Sequence, residues 1–234
     1  NRMITVPEPE MRIALWAELF RTQLPQHVLE TVDALMSAVR SRHPSARVSI
    51  LSFTRFLQRN RILAKQILLP IAVVEGHATI LALLVDEPPF KTMEAAELER
   101  AAANEDKEIT LGERRALARR PDPVLIERLL SDPDPVVVRN VLSNPRTVES
   151  QVVKLASRRP VPAAILIEVF QHQRWGLRPT IQSCLVQNPY TPLEIALGLL
   201  PLMPQSELRR LQREPSIHAI LRGWAKDLIR RVET

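Results

Sequence analysis

Apolar residues recur at spacings of three and four along most of the chain, the signature of helices with one buried face. Ile13, Trp16, Ala17 and Phe20 mark one such face; Val28, Val32, Leu35, Met36 and Val39 mark the next, with Pro25 between them. The pattern predicts two helices over 10–42 joined by a short loop and ended by His43-Pro44-Ser45. Ile50, Phe53, Phe56 and Leu57 open a third helix expected to run to about Leu69. The apolar run Ile67–Val85 has the length of a membrane span, yet Glu75, Gly76 and His77 sit at its centre and Pro70 interrupts it. A central charge is costly in lipid, so the expectation is two buried segments joined at Glu75-Gly76. The Val and Ile content of Ala72–Val85 admits a helix or a strand hairpin, and its helical neighbours favour helix. Glu87-Pro88-Pro89 breaks the pattern, Met93–Ala103 reads as a helix, Asn104-Glu105-Asp106 as a loop and Thr110–Arg119 as a further short helix.

From Ala116 onward the pattern turns regular. Short apolar sets (Leu125/Leu129, Val137/Val141, Val148/Val152/Leu155, Leu166/Val169/Phe170, Ile181/Leu185, Ala196/Leu199/Leu200, Leu208/Leu211 and Ile217/Ile220/Leu221/Trp224) alternate with proline-bearing breaks. The breaks are Pro121-Asp122-Pro123, Asp132-Pro133-Asp134-Pro135, Asn144-Pro145-Arg146-Thr147, Pro160-Val161-Pro162, Asn188-Pro189-Tyr190-Thr191-Pro192 and Glu214-Pro215. Asp or Asn caps free N–H groups at a helix start, and Pro at the first helical position has no N–H to lose. Each break is therefore expected to open a helix. Helices this short are marginal alone in water and need stacked neighbours.

A longer period lies above the helices. Val141-Leu142-Ser143-Asn144-Pro145-Arg146-Thr147 matches Leu185-Val186-Gln187-Asn188-Pro189-Tyr190-Thr191, 44 residues later, and Arg119-Arg120-Pro121-Asp122-Pro123 matches Arg158-Arg159-Pro160-Val161-Pro162, 39 residues later. Units of about 40–45 residues suit helical solenoids. These motifs, with Val138-Arg139 ahead of one of them, Arg174-Trp175, the stretch Gln187–Leu197 and Leu208-Arg209-Arg210-Leu211, resemble bacterial HEAT-like and leucine-rich-repeat-variant α-solenoids over about residues 111–230. The resemblance implies an all-α fold, a right-handed superhelix of short helix pairs, and a concave face that binds other macromolecules. Diverged helical repeats are expected over 1–105 and regular ones over 106–234, as one continuous superhelix. Some leucine-rich-repeat-variant proteins hold an iron–sulfur cluster on several cysteines; this chain has one cysteine, so that property does not carry over.

Composition sharpens the picture. Prolines number 20 and glycines 5, so Pro marks helix starts rather than loose linkers. Aromatic residues make up 4%, which leaves the core to Leu, Val, Ile and Ala. Cys184 alone excludes an intramolecular disulfide and a four-cysteine metal site, and it fits a reducing cytoplasm. No basic-then-apolar leader opens the sequence, although it begins at Asn1 rather than Met, which leaves an upstream segment open. Charge is uneven: residues 1–110 carry 13 Lys and Arg against 14 Asp and Glu, residues 111–234 carry 19 against 12, and Arg40–Lys65 holds seven basic residues and no acid. Such asymmetry attracts nucleic acid, acidic lipid or an acidic protein surface.

Catalytic signals are absent from the sequence. The five glycines are too scattered for a phosphate-cradling loop, and the five histidines (His27, His43, His77, His172, His218) lack ligand spacing. Glu105-Asp106 and Asp86-Glu87 are adjacent acids, whereas a working pair needs spatial opposition. Cys184 sits mid-helix with no base in view. No enzyme, cofactor or metal is expected. The arginines are the candidate functional set: Arg114/Arg115, Arg119/Arg120, Arg158/Arg159 and Arg209/Arg210 recur at helix ends, joined by Arg139, Arg174 and Arg178. One reading has them complement helix dipoles and keep the surface soluble. The other lines them into a stripe of donors for acidic side chains or phosphates. Trp175 packs under a loop or offers a stacking platform, Trp16 and Trp224 fall on core faces, and Tyr190 is a half-exposed contact.

The expected partner-binding residues are Arg114, Arg115, Arg119, Arg120, Arg139, Arg158, Arg159, Arg174, Trp175, Arg178 and Tyr190. The expected function is a non-enzymatic scaffold that holds a protein or peptide, acidic in character, on a preformed concave face. The alternative is a nucleic-acid-binding repeat protein that grips phosphates. Helical-repeat DNA glycosylases share the size, helix content and basic charge, an analogy of class with no motif residue to transfer.

Overall fold

The computed structural model describes residues 8–40, 43–84, 86–94, 96–98 and 109–233. Among the described residues the regular structure is entirely helical. The chain forms two compact units: Asn1–Glu87 with Leu193–Thr234, and Pro88–Pro192. These bounds differ from the division expected near residue 105.

In the first unit, α1 (Pro9–Thr22), α2 (Pro25–Arg40), α3 (Pro44–Arg59), α4 (Arg61–Glu75) and α5 (Ala78–Leu84) follow one another with few intervening residues. Pro at or beside the first turn opens α1 and α3, where its missing N–H costs nothing. α3 packs against α1 and α2. Its Phe53 and Phe56 rings meet Trp16 and Phe20 at 4.8 and 4.6 Å between centroids, and Trp16 Nε1 donates to Ser52 Oγ at 3.0 Å. The expected single helix from Ile50 to Leu69 is two helices. The chain breaks at Asn60, whose backbone N–H and side-chain amide both turn back to the Phe56 carbonyl. Residues 67–84 are helical, with the corner at Gly76, where φ is +72° and a side chain would strain the backbone. Among the described residues no helix is long and apolar enough to cross a membrane.

The C-terminal segment supplies α12 (Leu193–Leu199), a 3₁₀ turn (Leu200–Leu202), α13 (Gln205–Leu211) and α14 (Ala219–Glu233) to this first unit. α12 is buried on nearly every side, packing against α3, α5 and α14. Gly198 permits the approach to α3, since an added Cβ would overlap the Thr54 side chain. Trp16 is fully buried, whereas Trp224, expected in the core, is half-buried.

The second unit holds α6 (Leu111–Leu117), α7 (Pro123–Leu129), α8 (Pro135–Leu142), α9 (Glu149–Ser157), α10 (Ala163–Gln171) and α11 (Pro179–Gln187). Of the helix expected over Met93–Ala103, residues 96–98 are helical and part lies outside the described residues, as does the loop Asn104-Glu105-Asp106. Two helix starts follow the expected rule. Asp122 Oδ1 accepts from the N–H groups of Val124 and Leu125, and Asp134 Oδ1 from those of Val136 and Val137, each with Pro at the first helical position. α6 is closed by a reciprocal cap between Thr110 and Glu113. The two Asn-Pro motifs do not open helices, because α9 starts at Glu149 and α12 at Leu193. Glu214-Pro215 likewise lies in a turn ahead of α14.

Candidate interaction surface

Asn144 and Asn188 tie neighbouring segments of the second unit together. The Asn144 amide donates to the carbonyls of Ala118 (3.0 Å) and Arg120 (2.7 Å), while its oxygen accepts from the Arg146 N–H at 3.1 Å. The Asn188 amide donates to Ala156 (2.8 Å) and Arg158 (3.0 Å), and its oxygen accepts from the Tyr190 N–H at 3.1 Å. Thr147 Oγ1 donates to Val141 and Thr191 Oγ1 to Leu185, six residues back in both cases. The matched sequence motifs therefore make matched bonds. All four side chains are buried, where unpaired carbonyls would be costly.

These ties define two ends of the unit. α8 finishes at the Asn144 tie and α9 starts just after it. α9 runs nine residues, about 13 Å of rise, to the carbonyls that Asn188 holds. α10 returns: Ser143 and His172 meet at 3.4 Å, and Trp175 Nε1 donates to the Leu142 carbonyl at 2.7 Å. α11 then runs back to Asn188. The first end gathers residues 118–120, 142–149 and 172–178; the second gathers 156–160 and 187–191, where the Lys91 N–H also bonds the Pro189 carbonyl.

The arginines fall into groups by this geometry. Arg114 lies with Nε 2.9 Å from the Asp132 carboxylate, itself almost fully buried. Arg115 forks onto Asp134 at 3.1 and 3.4 Å. Burial alone would raise the Asp134 carboxyl; Arg115 and the N–H groups of Val137 and Val136 outweigh it and hold the group below the usual carboxylate range. Arg139 forks onto Glu168 at 2.5 and 2.7 Å, which raises the guanidinium pKa. These three hold the unit together, so the expectation of one continuous binding stripe does not describe them.

Arg158 and Arg159 stand at the second end, a helix length from Arg119 and Arg120. Arg158 is half-buried, and desolvation lowers its pKa; Arg159 donates to the Gln187 carbonyl at 2.6 Å. Tyr190 is half-buried at the same end. Trp175 is fully buried with its indole N–H bonded, so it packs as a wedge under the loop and offers no stacking face to a partner.

At the first end, Arg119, Arg120, Arg146 and Arg174 are all exposed. None of the four meets a carboxylate among the described residues. Arg174 lies 4.1 Å over the Trp175 ring, a cation–π contact that fixes its base and leaves its edge open. Arg178 is exposed beside them, its Nε at 4.0 Å from Glu149. Arg146 belongs to this set although the sequence reading did not single it out. Its signal was its place as the third residue of Asn144-Pro145-Arg146-Thr147, an exposed position in a motif whose Asn144 and Thr147 are buried. Among the described residues no group of His, Cys, Asp and Glu converges as metal ligands would, and Cys184 is half-buried within α11.

No known family, curated protein or solved structure matches this chain.

Proposed function

We propose that the chain is a non-enzymatic scaffold of the HEAT-like, α-solenoid kind, and that its second unit binds an acidic protein segment at the end that carries Arg119, Arg120, Arg146, Arg174 and Arg178. One observation carries the reading. Arg114, Arg115 and Arg139 are engaged with internal carboxylates, while four arginines at one end of the same unit are exposed and meet none among the described residues. Planar guanidinium donors held by fixed backbone turns suit carboxylate recognition, because little freedom is lost on binding. The recurrent Asn ties support the repeat reading, since the same bonds hold both motif copies. A scaffold of this kind works in the cytoplasm, where its single cysteine stays reduced.

An acidic protein fits this end better than a nucleic acid. The basic patch occupies one end of a short helical array rather than a groove that tracks a backbone. Glu149 stands within it and would repel phosphates, whereas a protein partner can answer mixed charge. The described large aromatic nearby, Trp175, is buried and stacks no base.

The test is fluorescence anisotropy with three labelled probes: an oligoglutamate peptide with interspersed leucines, duplex DNA and single-stranded RNA. Tighter binding to the peptide at moderate salt is expected. Preference for DNA or RNA, with a steep loss of affinity as salt rises, would replace this reading with phosphate binding.

A further inference from the structure

The end of the second unit that carries the exposed arginines also turns apolar side chains to water. Val124, Val148 and Leu177 are 76%, 50% and 40% exposed. Each stands at the start of a helix: Val124 is the second residue of α7, Val148 immediately precedes α9, and Leu177 lies two residues ahead of α11. The bonds between segments bring these three starts together. The Asn144 amide, just ahead of α9, holds the Ala118 and Arg120 carbonyls just ahead of α7, and farther along Gln151 and Lys154 of α9 both bond Glu127 of α7. Glu149 and Arg178 stand 4.0 Å apart at the starts of α9 and α11, and Asn188 joins the finish of α11 to that of α9. α7, α9 and α11 therefore run side by side in one direction.

The three apolar residues also share one register. Glu127 bonds Gln151, 24 positions on, which is the separation of Val124 from Val148. Glu149 faces Arg178, 29 positions on, which is the separation of Val148 from Leu177. The three thus occupy matching places on successive helices, each step a helix diameter, on the order of 10 Å. A lone exposed Val is ordinary; a row in register marks a contact surface. Charge decides what covers it. Arg120 stands four residues before Val124, Arg146 two before Val148 and Arg178 next to Leu177, all three exposed, so each apolar position has its own cation. The acids of this end are occupied: Asp122 accepts from the N–H groups of Val124 and Leu125, and Glu149 lies toward Arg178. A second copy would set arginine against arginine, and a purely apolar cover would strip water from cations and give them no partner.

We propose, resting on the acid-binding reading of this end, that the partner is an amphipathic acidic segment. Its aliphatic side chains seat on Val124, Val148 and Leu177, and carboxylates spaced between them meet Arg120, Arg146 and Arg178. The charges draw the segment in, while the apolar row selects acidic segments that carry aliphatic side chains over those that carry acids alone.

The test titrates the full chain with two labelled peptides of equal length and glutamate number, one with interspersed leucines and one with serine in place of each leucine. The leucine peptide is expected to bind the wild type about 10-fold tighter, since its aliphatic side chains leave water on binding. In Val148→Ser/Leu177→Ser, at exposed sites and with a favoured capping residue ahead of α9, the gap is expected to close to within about twofold, with the serine peptide bound as before. Equal binding of both peptides to the wild type, a comparison that needs no variant, overturns the apolar row and leaves the acid-binding reading standing. Binding of neither peptide overturns both. A leucine preference that survives in a folded Val148→Ser/Leu177→Ser places the apolar contact elsewhere and overturns the proposal. So does a dimer of the free chain that this variant dissolves, which would give the row to a second copy, and so does binding to phosphatidylserine vesicles with no leucine preference among the peptides, which would give it to lipid.

Discussion

A primary amide donates two hydrogen bonds and accepts another within one plane, and Asn144 and Asn188 each use all three. No other side chain of this size does so, which is why the motif needs Asn where the helix starts use Asp. Asn188→Ala is expected to lower stability by about 1–3 kcal/mol, because two carbonyls and one N–H lose a buried partner. Asn188→Asp is expected to do no better, since a carboxylate cannot donate. Urea denaturation measures both; a loss under about 0.5 kcal/mol would mean that water replaces the amide. The sequence made the motif visible and misassigned its work. Asn before Pro reads as a helix cap, and nothing local reveals carbonyls 24–32 positions upstream.

His77 shows a second residue-scale effect. Its ring nitrogens face Glu75 at 2.9 Å and Asp33 at 2.5 Å. The Glu75 hydrogen bond raises its pKa most; burial opposes it, and the charge and hydrogen bond of Asp33 add to the rise, which leaves the pKa above the ordinary value. A raised folded-state pKa means stability that is full below the unfolded value of about 6.5 and fades as pH rises through the folded value. The stability difference between the wild type and His77→Gln is therefore expected at pH 5.5 and to shrink by pH 8.5, measured by urea denaturation at both. An equal difference at the two pH values would show that no proton is linked to this contact.

At the scale of elements, most helices were legible because burial follows a period of three to four. Val28, Val32, Met36 and Val39 are buried as their spacing implies. Breaks were less legible. α3 and α4 bury Phe56, Leu57, Ala64 and Leu68 in an unbroken apolar rhythm, and the stop at Asn60 comes from a side-chain amide that closes on Phe56, which periodicity does not register. The Thr110-to-Glu113 cap was a readable signature that the apolar pattern overshadowed. α12 depends on a missing side chain. Gly198→Ala is expected to cost about 1–3 kcal/mol through overlap with Thr54. Adding Thr54→Ala to Gly198→Ala is expected to recover part of that loss in thermal denaturation, and strict additivity of the two losses would argue against direct contact.

For the whole molecule, charge asymmetry singled out the half of the chain that carries the proposed basic end, but not which of its arginines meet internal carboxylates. Partners such as Glu168 for Arg139 lie 29 positions away, so which cations are internally engaged is a tertiary fact. Likewise, the grouping of Leu193–Thr234 with the N-terminal helices follows from α12 being buried on nearly all sides, a property its Leu-Glu-Ile-Ala-Leu-Gly-Leu run hints at only by its near-absence of polar positions. Arg158 and Arg159 serve as the internal control for the basic end. Arg158→Gln with Arg159→Gln is expected to leave oligoglutamate affinity within about twofold, because screened charges a helix length away contribute little.

The most direct measurement is a titration of the labelled oligoglutamate peptide against the wild type and against Arg119→Gln/Arg120→Gln/Arg146→Gln. All three arginines are exposed and meet no carboxylate among the described residues, so the fold is expected to survive the change. A loss of about 10- to 100-fold in affinity is expected, from three exposed charge contacts worth up to about 1 kcal/mol each. Equal affinity in the two proteins, with the fold intact, would contradict an acid-binding role for this end of the second unit.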